Sequence, residues 1–186
     1  MIPTAALSRR PVFTGVEAHE WQRAEASLDM ARITLQPWRL CEALTALGRC
    51  ERRSGNTDAA ARRFDAALAW ARVLGCADLL ADLLCERGEL AADRAPDAQA
   101  ADGDGDPEAW LLARACAVEA AGLAAQTSDP TWEVRLLLRA SDLFHRLGSA
   151  DDAAALHLRA MQRQGRPVPG ERPVQAADPQ AHPTLQ

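Results

Sequence analysis

The sequence predicts an all-α protein assembled from repeated antiparallel helix pairs. Three observations lead there. Ala, Leu, Arg and Glu dominate the middle of the chain, where β-branched residues are sparse. Apolar residues recur at three- and four-residue spacing in successive stretches separated by Pro or Gly. One such stretch, beginning at Leu44, is echoed 93 residues later at Leu137.

Residues 1–15 contain Pro3 and Pro11 with few periodic apolar positions, and are read as a flexible N-terminus. From Val16 to about Gln36, Trp21, Ala24, Leu28 and Ala31 share one helical face, and Pro37 marks a boundary. A second helix runs from about Trp38 to Ser54 through Leu40, Leu44, Leu47 and Cys50 or Glu51, and ends at Gly55. Asn56, Thr57 and Asp58 offer N-caps to a third helix over about 57–74, striped by Ala60, Phe64, Ala67, Leu68 and Ala71. A fourth covers about 77–94 with Leu79, Leu80, Leu83, Leu84 and Leu90. Residues 97–106 are acidic and Gly-containing, and read as an exposed loop. Pro107 suits the first turn of a fifth helix, which carries Trp110, Leu111, Ala117, Ala120 and Leu123 to about Gln126. Two more helices are expected, over Thr131–Leu147 and Asp151–Gln164. Residues 165–186 are rich in Pro, Gln and Ala and are read as a disordered tail, leaving 16–164 as the folded domain.

The echo is detailed. Leu44, Leu47, Gly48, Gly55, Asp58, Ala60, Ala67 and Leu68 fall on Leu137, Ala140, Ser141, Gly148, Asp151, Ala153, Ala160 and Met161. Leu44-x2-Leu47-Gly48 followed by Ala60-x3-Phe64-x2-Ala67 resembles the tetratricopeptide repeat, as does Leu137-x2-Ala140-Ser141-x2-Phe144 followed by Ala153-x3-His157-x2-Ala160. Residues 77–94 and 107–126 fit as one further repeat whose turn is lengthened by the acidic loop, and 17–36 as a lone second helix. Glu51 departs from the pattern by occupying an aromatic slot, and the repeat-ending Pro is missing from the better copies. The resemblance implies a short tetratricopeptide-like α-solenoid of six or seven helices, about three repeats, each burying its apolar face against the next.

Composition excludes several function classes. The net charge is −5 and all 21 Lys or Arg positions are Arg, without a basic run of useful length, so no nucleic-acid partner is expected. No stretch reaches 18 uninterrupted apolar residues, so no membrane span is expected. The N-terminus lacks the apolar core of a secretion signal. Cys41, Cys50, Cys76, Cys85 and Cys116 are odd in number, are assigned to predicted helices and form no C-x-x-C pair. Reduced thiols in a cytoplasmic protein are the simpler reading.

The nine-residue spacings Cys41–Cys50 and Cys76–Cys85 would put two thiols on opposite helix faces, so no metal is expected there. Asp102, Asp104 and Asp106 begin like a calcium loop, but Pro107 and Ala113 stand where Gly and Glu are required. His19-Glu20 is followed by Arg23 where a zincin needs His. The alignment puts His157 in the slot of Phe64, which predicts a packed side chain, while His145 is either a groove residue or simply exposed. Neither an enzyme nor a cofactor is expected.

In tetratricopeptide proteins the first helix of each repeat lines the concave groove. Carried onto this chain, that assigns Thr45, Arg49 and Arg52 in one copy, Asp78 and Asp82 (with Glu86) in the middle, and Arg135, Arg139 and Arg146 (with Asp142) in the last. Arg at both ends with acid between would suit a protein or peptide of mixed charge, because guanidinium groups hold carboxylates bidentately. The same residues would also make an ordinary solvated face of i,i+4 ion pairs. The resemblance therefore implies an adaptor or scaffold holding a peptide or helix of a partner protein, with oligomeric state open. Three further readings stay beside it: a small chaperone for a secreted client; a regulatory module of a bacterial signalling or transcription system, since Ala71–Gly75 resembles helix ends in large bacterial regulators; and an enzyme, for which only a loop-borne site remains.

Overall fold

The computed structural model describes residues 15–95 and 106–165. The expected N-terminal flexibility, nearly all of the acidic loop, and the tail beyond Gly165 fall outside the described residues. Within them the chain is helical, with no strand. The helices are α1 (Gly15–Thr34), α2 (Pro37–Arg53), α3 (Thr57–Leu74), α4 (Ala77–Ala92), α5 (Pro107–Ala124), α6 (Pro130–Arg146) and α7 (Ala150–Gln164). Each lies within a few residues of its predicted span.

Local chemistry sets the ends. Pro37, Pro107 and Pro130 each open a helix, where a missing N–H costs nothing. Asp106 and Asp129 cap α5 and α6 by accepting from the N–H of Glu108 at 2.9 Å and Thr131 at 2.8 Å. Asn56 caps α3 by accepting from the Ala59 N–H. The turns α2–α3 and α6–α7 are the same turn, 93 residues apart. Gly55 and Gly148 take φ of +77° and +75°. The next N–H, of Asn56 or Ser149, donates back to the carbonyl of Glu51 or Phe144, at 2.9 Å in both. Leu35, at the α1–α2 turn, does the same work at φ +51° without being Gly. Cys76 is not helical: it is the half-buried N-cap of α4, so the assignment of all five cysteines to helices is corrected there.

Consecutive helices form antiparallel hairpins. In α2/α3, Cys41 Sγ meets the Ala67 carbonyl and Arg63 meets Glu51. In α6/α7, Ser141 Oγ donates to the Ala153 carbonyl and Arg163 reaches Glu133. In α4/α5 the Asp106 N–H donates to the Arg94 carbonyl, which ties the start of α5 to the end of α4. The hairpins stack with α2, α4 and α6 side by side and parallel: Arg49 and Arg52 of α2 reach Asp82 and Glu89 of α4, and Arg139 and Arg146 of α6 reach Glu89 and Asp93.

The core is built on small residues. Ala60, Ala67, Ala71, Ala81, Ala113, Ala117, Ala120, Ala124 and Ala140 are fully buried, which lets helix backbones approach closely. Large side chains fill the remaining gaps. The Phe64 ring lies over Gly48, and Leu143 lies over Gly88. His157 departs from its alignment: Phe64 is fully buried, whereas His157 is exposed. Among the described residues no helix follows α7.

Candidate functional site

The charged stripes of α2, α4 and α6 converge into one lattice. Arg139 donates through Nη1 to Asp82 at 2.6 Å and through Nη2 to Glu89 at 2.6 Å. Arg49 spans Asp82 at 3.0 Å and Glu86 at 2.9 Å. Arg52 spans Glu89 at 2.8 Å and Asp93 at 3.0 Å, and Arg146 reaches Asp93 at 2.6 Å. Four guanidinium groups thus face four carboxylates, and the formal charges cancel.

Burial and pairing compete here. Burial alone would raise the Glu89 carboxyl, but hydrogen bonds and attraction from Arg52 and Arg139 hold it below the ordinary carboxylate range. Burial likewise disfavours charged Arg139, yet Glu89 and Asp82 overcome it and raise its pKa. The Cys85 thiol beside the lattice is pushed up to about 12, chiefly by burial. Burial also pushes the Cys41 and Cys116 thiols up to about 11, which removes the thiolate character a nucleophile needs.

The structure brings together Arg49, Arg52, Asp82, Arg139 and Arg146, together with Glu86. Three other sequence-assigned residues lie elsewhere. Thr45 is buried, and its hydroxyl donates to the Cys41 carbonyl of its own helix at 2.8 Å, so it does not offer a free hydroxyl to a groove. Arg135 stays outside the lattice, with its guanidinium 4.8 Å from the Trp132 ring centroid. Asp78 is half-buried near the start of α4, and its Oδ1 has no hydrogen-bond partner among the described residues. Asp142 and His145 are exposed. The sequence reading missed Glu89 and Asp93, although they continue the Asp82–Glu86 stripe at three- and four-residue steps.

A second feature was not anticipated. An open groove of about 880 Å³ runs between α1 and α2. Its floor is small or apolar (Ala24, Ala43, Ala46, Cys50), and Arg23, Arg39 and Glu42 stand along it. Arg53 pairs with Glu20 across one end. The signal for it was a stripe of small residues on α2 at helical spacing.

Among the described residues no group of His, Cys, Asp or Glu is arranged to hold a metal ion, and no helix is long and apolar enough to cross a membrane. No family model matches the chain, and no curated protein matches it. Among solved structures it is similar to one described as "DHF58 filament", with 22% identity and TM-score 0.45 over 80% of this chain and 79% of that one. It is also similar to the crystal structure of BtubC (BKLC) from P. vanneervenii, with 13% identity and TM-score 0.28 over 93% of this chain and 98% of that one. Neither likeness carries an argument about fold family or function.

Proposed function

We propose that the chain is a short tetratricopeptide-like solenoid acting as an adaptor, which holds a peptide or helix of a partner protein against the α2/α4/α6 face. The parallel alignment of these three helices carries the reading, because it merges three hairpins into one continuous charged wall. The identical turns at Gly55 and Gly148 support the repeat underneath it. The lattice pre-orients the wall, which lowers the ordering cost of binding. Arg49 and Arg146 keep 45% and 41% of their side chains exposed. Each uses only part of its five-donor fork internally, so donors remain for a partner's carboxylates.

The test is an affinity pull-down from the native host's lysate read by mass spectrometry, beside an Arg135→Glu/Arg146→Glu variant. Arg146 lies at the exposed edge of the lattice and Arg135 is exposed outside it, so circular dichroism is expected to show an unchanged fold. One protein enriched by the wild type and lost with the variant supports the adaptor. Equal capture by both, or no capture, removes this face from the proposal.

A further inference from the structure

The α1/α2 groove has a defined place in the stacking pattern. In the body of the protein, each hairpin is followed by a helix lying parallel to the hairpin's first helix: α4 against α2 and α3, then α6 against α4 and α5. Among the described residues the pattern stops at α1 and α2. The groove there has the geometry of a helix seat. On α2 its lining follows Arg39, Glu42, Ala43, Ala46, Arg49, Cys50 and Arg53, a single stripe at three- and four-residue steps. On α1 it follows Glu20, Arg23, Ala24, Ser27 and Met30. The α2 stripe spans about 21 Å at 1.5 Å per residue, which matches a helix of roughly four turns. The small side chains of the floor let another backbone approach closely, and Met30, 56% exposed, offers an adaptable apolar contact.

Charge identifies the occupant. On the far side of α2, its arginines are answered by the carboxylates of α4. On the groove side, Arg39 and Arg23 are exposed and have no carboxylate partner among the described residues. Four Arg and two Glu line the groove. A helix completing the pattern would therefore present acids, as α4 does. Residues 1–14 contain no Asp or Glu and carry Arg9 and Arg10, so their charge does not match the seat.

We infer that the α1/α2 groove binds an acidic amphipathic helix of a partner protein, which packs a small apolar stripe on Ala43, Ala46 and Met30 and directs carboxylates to Arg23 and Arg39. This rests on the stacked-repeat reading above; Arg49 borders both faces of α2, whereas Arg23 and Arg39 belong to the groove and not to the lattice.

Fluorescence anisotropy on the full chain tests it with defined probes. The first is an 18-residue helical peptide with an Ala/Leu stripe flanked by Glu, the second its Lys-for-Glu counterpart, and the third the peptide of residues 1–14. The Glu probe is expected to bind, weakening about tenfold or more with Arg23→Glu/Arg39→Glu and as the salt rises. Both substituted positions are exposed, so the variant is expected to fold. Ala46→Phe, which fills the floor, should also abolish binding. Arg135→Glu/Arg146→Glu should leave the probe's affinity unchanged, which separates this groove from the α2/α4/α6 wall. Equal binding of Glu and Lys probes, or none by the Glu probe, overturns the inference. So does displacement of the Glu probe by the 1–14 peptide, or a sedimenting dimer that the probe dissociates, since the occupant would then be the chain itself.

Discussion

Gly48 of α2 faces the ring of Phe64 of α3 so closely that a Cβ at position 48 would stand 2.7 Å from Cε1 and 2.9 Å from Cδ1. Phe64 is fully buried, so the ring has no free volume to retreat into. The hairpin therefore depends on the missing methyl group.

Gly48→Ala should destabilise the protein by about 1–3 kcal/mol through overpacking. Gly122→Ala is the counterpart: the same change inside α5, with nothing within 4 Å of the added carbon. It should stabilise by about 0.5–1 kcal/mol through helix propensity. Urea denaturation of both variants decides it, and equal effects would mean that contact with Phe64 is not what position 48 controls.

Arg139 joins α6 to three carboxylates of α4, with only 19% of its side chain exposed. Arg139→Ala would leave Asp82 and Glu89 with fewer partners in a partly buried site, and should cost about 3 kcal/mol. Arg146→Ala, at the exposed margin, should cost no more than about 1 kcal/mol. A double-mutant cycle on Arg139 and Glu89 should show strong non-additivity, and simple additivity would refute a cooperative lattice.

Two carboxylates give opposite pH dependences. Glu89 titrates below its ordinary range in the folded state, since Arg52 and Arg139 outweigh its burial. Its stabilising contribution is complete above the unfolded-state pKa and is lost as pH falls through the lower folded value. Glu51 is raised by burial, only partly offset by Arg63, and its Oε2 has no hydrogen-bond partner among the described residues. Between its unfolded and raised folded pKa values the folded state holds the extra proton, so stability falls as pH rises through that window. Glu51→Gln should therefore be more stable than the wild type at pH 7, with the gain shrinking toward pH 4. Melting curves across that range check the sign.

Leu35 holds a left-handed turn at φ +51° while 84% exposed. Its side chain has little packing to lose, so Leu35→Gly should stabilise by about 1 kcal/mol by relieving the clash of Cβ with the backbone. Gly55→Ala should do the reverse by a similar amount, because φ is +77° there with open space around the missing Cβ. Thermal unfolding of both separates backbone strain from packing.

The sequence by itself determined the helices and where they stop. Pro at the first helical position, Asp and Asn caps, and Gly beyond the ends act within a few residues, so local chemistry decides them without the rest of the fold. It also determined the buried stripe of Ala24, Leu28, Leu44, Leu47, Ala60, Phe64 and Ala67, through periodicity alone. Glu51 was legible as a misfit, a polar residue in an aromatic slot, but its pairing with Arg63 was not. Only the tertiary structure decided which charges meet. The arginines of α2 and α6 find their partners 33 to 57 residues away, and no local spacing encodes that distance. It decided as well that Thr45 is satisfied inside its own helix, that His157 is uncovered where Phe64 is sealed, and that a groove stands open beside α2. Burial, partner choice and empty volume are properties of how helices pack against one another, and a single helix carries only the side chains on which that packing acts.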